Sequence, residues 1–133
     1  MGKTQKVMSR DDGPMWESIE RGRLELQTCS DCGKVRYPPA PVCDACLSME
    51  SHWTPVSGRG TILSWVVFHR KYFDDFPPPY NATAVRLDEG PIVMTNLVGT
   101  EPAGSWIGKR VQLTYVGHDG RRQHAAEIIE EKA

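Results

Sequence analysis

The four cysteines of this chain stand as Cys29-Ser-Asp-Cys32 and Cys43-Asp-Ala-Cys46, with ten residues between the two pairs. Each Cys-x-x-Cys turn sets two sulfurs about one ligand edge apart, and two such turns facing each other close a tetrahedron around Zn²⁺. A pair of disulfides is the first alternative and suits small secreted proteins. Here, however, Lys3, Lys6 and Arg10 are followed by no apolar run of the kind a secretory signal carries. A cytoplasmic location is therefore expected, where thiols stay reduced. Iron on the same sulfurs is the second alternative, and colour would separate it from zinc. Four cysteine ligands fill the coordination sphere, so one structural Zn²⁺ per chain is expected, with no position left for substrate. Gly33 follows the first knuckle and Leu47 the second, which predicts two turns of different backbone geometry.

Around this point the chain divides into an N-terminal helical segment (1–26), a zinc ribbon (27–57) and a β-barrel (58–133). Asp12-Gly13-Pro14 offers a capping residue and a first-turn proline, and Gly22 a stop, which predicts a helix over Pro14 to Arg21. Its apolar side, Met15, Trp16 and Ile19, is expected to pack on the rest of the fold. Leu24, Leu26 and Thr28 alternate with Arg23, Glu25 and Gln27, the period of a strand entering the ribbon. After the turn Gly58-Arg59-Gly60 come five strand-like runs: Thr61–His69, Asn81–Leu87, Ile92–Val98, Arg110–Val116 and Gln123–Ile129. Asp88-Glu89-Gly90 and His118-Asp119-Gly120 read as hairpin turns. Five short strands close most readily as an OB-fold, so the fold class is mainly β, with a helix, a ribbon and a five-stranded barrel.

The segment from Arg70 to Tyr80 is the unusual connection. It carries Tyr72, Phe73, Phe76 and Tyr80, two of the chain's four tyrosines and two of its three phenylalanines, and is stiffened by Pro77, Pro78 and Pro79. Such a loop either folds back to cap the barrel or presents aromatic anchors to a partner at low ordering cost.

No catalytic set assembles from the remaining residues. The cysteines are taken by the metal, Ser64 and Ser105 lie in no Gly-x-Ser-x-Gly elbow, and His52, His69, His118 and His124 are scattered. Asp74 and Asp75 are adjacent, and on an extended chain they point apart, which suits solvation rather than acid–base pairing. Arg59, Arg70 with Lys71, Lys109 with Arg110, and Arg121 with Arg122 sit near turns and solvate loop ends; two converging pairs could hold a phosphate. With 16 Lys plus Arg against 17 Asp plus Glu, the net charge of −1 disfavours the alternative of a single-strand nucleic-acid-binding OB module.

Several further motifs fall in a specific order. They are Trp16-Glu17, Gly22-Arg23-Leu24, the first knuckle with Gly33, Tyr37-Pro38-Pro39, the second knuckle and Gly58-Arg59-Gly60-Thr61. Pro78-Pro79-Tyr80, Gly90, Thr95-Asn96-Leu97-Val98-Gly99 and Ile107-Gly108-x-x-Val111 complete the order. Together they resemble the acyl-CoA-associated zinc-ribbon/OB-fold family over nearly the whole chain, with Leu47 in place of a common glycine as a minor departure. The resemblance implies a rubredoxin-like zinc ribbon followed by an OB-fold. It also implies a non-catalytic subunit that docks on a thiolase-superfamily enzyme (thiolase, acyltransferase or aldolase), with acyl-CoA at or near the interface. On that reading Cys29, Cys32, Cys43 and Cys46 hold zinc, while Arg70, Lys71, Tyr72, Phe73, Phe76, Pro79 and Tyr80 are candidate contacts to the partner or to CoA. Neither a membrane nor nucleic acid is expected as a partner.

Overall fold

The computed structural model describes residues 10–129, so Lys3 and Lys6, the rest of 1–9, and 130–133 lie outside the described residues. Helix α1 spans Gly13–Glu20 with proline in its first turn, and Gly22, at φ +79°, ends it. The side-chain cap expected of Asp12 is not made. Packing holds the helix instead: Met15, Ser18 and Ile19 are buried and Trp16 lies against the core. The Ser18 hydroxyl donates to the Met15 carbonyl (2.6 Å) and accepts from the Glu25 N–H (3.0 Å), tying the helix to the first strand.

The ribbon is a three-stranded antiparallel sheet in which β1 (Glu25–Cys29) lies between β2 (Val35–Arg36) and β3 (Ser51–Pro55). Leu24 and Leu26 are buried, as their alternation predicts. Gln27 is buried as well, against that alternation. Its Oε1 accepts from Arg36 Nε (3.0 Å) and from the Ala40 N–H (2.8 Å), while Arg36 Nη2 reaches the Ala40 carbonyl (2.9 Å). This buried polar knot fixes the loop between the knuckles, where apolar contacts are few.

Five strands make the second sheet: β4 (Arg59–Phe68), β5 (Tyr80–Leu87), β6 (Ile92–Thr95), β7 (Arg110–His118) and β8 (Arg121–Ile128), in the order β6-β5-β4-β7-β8. The sheet curls until its edges meet at a parallel bridge between Leu97 and Ala126. Val98 N–H donates to the Ala126 carbonyl (2.8 Å) and Ala126 N–H to the Asn96 carbonyl (2.9 Å). This is the OB-fold. Gly60 lies inside β4 rather than in a turn: a Cβ there would sit 2.5 Å from the Arg86 carbonyl oxygen, so β5 requires a glycine opposite it. The β7–β8 turn is the two residues Asp119 and Gly120, both at positive φ (+52° and +82°), the geometry that matches strand twist.

The third barrel strand is shorter than the expected Ile92–Val98, and Asn81 explains why. Its Oδ1 accepts from Leu97 N–H (2.7 Å) and from the Thr83 hydroxyl (2.9 Å), and its Nδ2 donates to the Leu97 carbonyl (2.9 Å). A side chain thus takes both backbone groups of Leu97 off the β5 ladder and frees the segment to cross to β8. Helix, ribbon and barrel share one core, in which Met15 and Ile19, then Leu24 and Leu26, meet Ile62, Val85, Val93 and Val111. Among the described residues no helix is long and apolar enough to cross a membrane.

Truncating Asn81 leaves the buried Leu97 groups unpaired at the closing seam. Asn81→Ala is expected to cost about 2–3 kcal/mol in urea unfolding, whereas Asn96→Ala, at a less buried position, costs about 1 kcal/mol or less. Equal small losses would remove Asn81 from its closing role.

Candidate functional site

The two knuckles bring Cys29, Cys32, Cys43 and Cys46 together, their sulfurs all within 4.8 Å of one another. Cys29 and Cys46 Sγ are 3.5 Å apart, Cys32 and Cys43 Sγ 3.6 Å, and no disulfide joins them. Metal–sulfur bonds of about 2.3 Å give a tetrahedron with edges of about 3.8 Å, so this spacing fits a four-sulfur metal site. The donor chemistry fits as well. Cys29 is pulled down to about 6, chiefly by the backbone N–H of Cys32. Cys43 is lowered by the backbone N–H groups of Cys46 and then Ala45. The Ser48 N–H pulls on Cys46, but the facing Cys29 sulfur, burial, and the sulfurs of Cys32 and Cys43 outweigh it and push Cys46 up to about 12. In Cys32 the pull of the Lys34 N–H is outweighed by Cys43, burial and Cys29, so this thiol is raised too. A divalent cation bound at this centre displaces the protons that remain on these sulfurs, so that four thiolates face it. The Lys34 ammonium, 2.7 Å from Asp44 Oδ1, adds positive charge beside the sulfurs.

The two knuckles share one geometry, against the expectation drawn from Leu47. Gly33 N–H donates to the Cys29 carbonyl (3.0 Å) and Leu47 N–H to the Cys43 carbonyl (2.9 Å), with φ of +80° and +65° respectively. Closing the same ring of hydrogen bonds around a shared centre imposes the left-handed turn whether or not the residue is glycine. Leu47, 75% exposed, gains no packing to offset the strain.

The aromatic loop divides in two. Phe76 and Tyr80 turn inward: the Phe76 ring lies 4.5 Å from that of His118 and 5.5 Å from Tyr80, which stacks on Phe68 at 5.0 Å. Phe76, Pro79 and Tyr80 line a pocket of about 400 Å³ at the barrel mouth with Asn96, Glu101 and His118. Tyr72 and Phe73 are the more exposed half, 38% and 39% exposed, with the Tyr72 ring still edge-on to Phe68 at 6.0 Å. Arg70 lies 5.7 Å over the Tyr72 ring, and Lys71 is 3.5 Å from Asp74. The adjacent aspartates do not both solvate. The Asp75 side chain is only 7% exposed and its Oδ2 meets His118 Nε2 at 2.7 Å, a clasp between the loop and β7 that the sequence did not signal.

The other histidines with described partners are held in the fold. His124 Nδ1 meets the Thr95 hydroxyl (2.9 Å), burial depresses its basicity, and His52 Nδ1 meets the Ser30 hydroxyl (3.0 Å). The basic pairs near turns spread out. Arg110 forms a two-pronged ion pair with Asp88 (2.7 and 2.8 Å), which lowers the Asp88 carboxyl, and the Arg122 N–H donates to Glu20 Oε1 (3.1 Å). On the outer face of β5 and β6, Ala84 opposes Met94 and Arg86 opposes Ile92, an apolar surface without the aromatic platform that stacks on bases.

A four-cysteine ribbon continued through one core into an OB-fold defines a class of two-module β proteins. Residues 16–50 match the rubredoxin-like zinc ribbon domain of ChsH2 and residues 53–116 its C-terminal OB-fold domain. The chain belongs to this family of ChsH2-type DUF35 proteins, in agreement with its motifs. A solved structure titled "Ltp2-ChsH2(DUF35) aldolase" matches with a TM-score of 0.85 and 31% identity, covering 93% of this chain and 98% of that one. The 3-oxo-4,17-pregnadiene-20-carboxyl-CoA hydratase alpha subunit of Mycobacterium tuberculosis is 33% identical over 108 residues. The match covers 81% of this chain, which spans only 34% of that subunit. A DUF35 domain-containing scaffold protein of Pyrococcus furiosus is 30% identical over 115 residues, or 85% of this chain and 80% of the other.

Two substitutions test the knuckles. Leu47→Gly relieves the left-handed strain and is expected to raise stability by about 1 kcal/mol in chemical denaturation; a loss would show that the Leu47 side chain matters. Cys43→Ser is expected to bring bound metal, measured by elemental analysis, to well below one ion per chain and to remove hydrogen-exchange protection over Thr28 to Met49. Unchanged protection with no bound metal would overturn the metal's structural role.

Proposed function

We propose that this chain is a non-catalytic, zinc-binding accessory subunit that docks in the cytoplasm on a thiolase-superfamily enzyme acting on acyl-CoA thioesters. The likeness along the whole chain to the DUF35 protein of an aldolase complex carries this reading. The CoA thioester in the name of the mycobacterial relative and the scaffold role in the name of the archaeal one support it. Thiolase, acyltransferase and aldolase chemistry all need a nucleophile or base aligned on a thioester. Among the described residues several groups that could serve are engaged in structure, as with Asp75 on His118 and His124 on Thr95. The enzyme partner therefore supplies the reacting groups.

In this reading Cys29, Cys32, Cys43 and Cys46 hold one Zn²⁺, which stiffens the ribbon and, being fully ligated by sulfur, offers substrate no coordination position. Tyr72 and Phe73 are the outward anchors, with Arg70 and Lys71 beside them to meet carboxylate or phosphate groups of the partner or of CoA. Phe76, Pro79 and Tyr80 hold the loop in place and line the mouth pocket.

Co-expression with a thiolase-superfamily enzyme of the same organism, followed by size-exclusion chromatography and acyl-CoA turnover assays, tests the reading. The isolated chain is expected to be inactive and the complex active; turnover by the isolated chain, undiminished on further purification, would overturn it. Phe73→Ala is expected to weaken the complex by about thirtyfold, the effect of losing a 2 kcal/mol anchor, with little change in melting temperature. Phe76→Ala is expected to do the reverse, losing its packing on His118 and Tyr80. A stability loss at Phe73 with unchanged affinity would make the whole loop a barrel cap.

A further inference from the structure

Strand β4 is paired unequally along its two edges. Toward β5 its ladder runs from Gly60 to Phe68, with a bulge between Ile62 and Ser64. Toward β7 it covers only Arg59 to Thr61, followed by one exchange in which Ile62 N–H reaches the Lys109 carbonyl and Gly108 N–H reaches the Ile62 carbonyl, both at 2.9 Å. Beyond that, no backbone hydrogen bond within the described residues reaches the far edge of Leu63 to Phe68. The chain that could have continued the ladder turns away, because Trp106 is buried against Trp65 (centroids 5.2 Å apart, rings 12° from parallel) and its indole N–H is bonded to the Pro102 carbonyl (3.1 Å). Alternate residues of this stretch present N–H and C=O groups to the open side.

Exposed edges are ordinarily blunted by lysine, proline or inward-pointing charge. The segment Leu63-Ser64-Trp65-Val66-Val67-Phe68 carries none of these, and Val66 is 50% exposed. Cations stand instead at its two ends, with exposed Arg70 and Lys71 past Phe68 and exposed Lys109 beside Ile62. Six residues of strand separate them by about 20 Å. A second copy of this chain is a poor occupant. Antiparallel pairing would bring Arg70 and Lys71 of one copy toward Lys109 of the other, and parallel pairing would set like ends side by side.

We infer that the open edge of β4, Leu63 to Phe68, is a strand-acceptor site that takes an extended segment of the partner enzyme, apolar in its middle and acidic at its ends. Added as a sixth strand, such a segment gains main-chain hydrogen bonds along the edge, covers Val66, and places its acidic ends near Lys109 and the Arg70–Lys71 pair. The outward Tyr72 and Phe73 follow directly after that edge, so strand and anchors form one continuous surface. The inference deepens the accessory-subunit reading and rests on it.

Hydrogen exchange on the full chain, free and in complex with the co-expressed thiolase-superfamily enzyme, is the direct test. Amides on the open edge of Leu63 to Phe68 are expected to exchange at least about tenfold more slowly in the complex. Ser64→Lys/Val66→Lys, at two exposed positions, should leave the fold intact and weaken the complex at least about tenfold, while Met94→Lys on β6 should leave it unchanged. Lys109→Glu should weaken it about threefold at low salt, with the difference vanishing at high salt. A stable complex in which the edge amides exchange as in the free chain, or in which Ser64→Lys/Val66→Lys and Met94→Lys act alike, overturns the strand-acceptor site and leaves the accessory role standing. Dimers of the isolated chain in sedimentation that the double lysine variant dissolves would assign the edge to a second copy and overturn it too. Failure of any complex to form removes both readings.

Discussion

The gathering of four sulfurs at the end of a small antiparallel sheet is the constraint on which the ribbon depends. Between Ser30 and Met49 the chain has the two-residue strand β2, the buried residues there are Arg36, Pro39 and Cys43, and only Val35 and Tyr37 pack partly against the core. A segment of that kind cannot offset its ordering entropy by apolar burial, so a cross-link at one point has to supply the order. The strain at Leu47 follows from this constraint, because both halves of the site must adopt the same left-handed knuckle to aim their sulfurs at one centre. The Gln27–Arg36–Ala40 knot belongs to the same solution: where apolar contacts are scarce, buried hydrogen bonds hold the loop between the knuckles.

From that point order passes into the barrel through covalent continuity and a shared core. β3 runs through Gly58 into β4, the Val56 N–H bonds back to the Leu24 carbonyl, and Leu24 and Leu26 enter the cluster built around Ile62 and Val85. The Tyr115 hydroxyl accepts from the Leu24 N–H at 2.6 Å and adds a polar tie. Ribbon and barrel therefore meet through buried, specific contacts, and a partner that grips one of them senses the geometry of the other.

Much of this was legible in the sequence, and the reasons differ by region. The knuckles were readable because metal-ligand spacing leaves few alternatives, and the strands because period-two patterns and Asp-Gly turns are local signals. What escaped was set by distant partners. The early end of β6 comes from Asn81, fifteen or so positions away; the burial of Gln27 comes from Arg36; and Asp75 looked solvated until folding brought His118 beside it. Leu47 misled because a local preference for glycine was read without the ring closure that overrides it. The aromatic loop was visible as a feature, but the inward turn of Phe76 and Tyr80 depends on their packing with each other and on His118 and Phe68, and no periodicity encodes that.

The same accounting bears on where function resides. An isolated catalyst keeps polar groups poised toward a substrate, whereas here they are turned on the fold: Asn81 closes the barrel, Asp75 and His118 clasp the loop, Arg110 holds Asp88, and Thr95 holds His124. Apolar groups show the opposite pattern. Val66, Tyr72 and Phe73 remain exposed at the end of β4. The hydrophobic effect favours covering such area, and a chain that leaves it bare beside an open strand edge has its unused free energy at the surface rather than in a pocket. On the accessory-subunit reading proposed above, chemistry drawn from such a protein is chemistry it organises in another polypeptide. Rigidity then becomes the relevant property: prolines in the loop, a glycine-matched β4–β5 crossing at Gly60 and a ribbon gathered on four cysteine sulfurs each reduce the freedom that docking on a partner would cost.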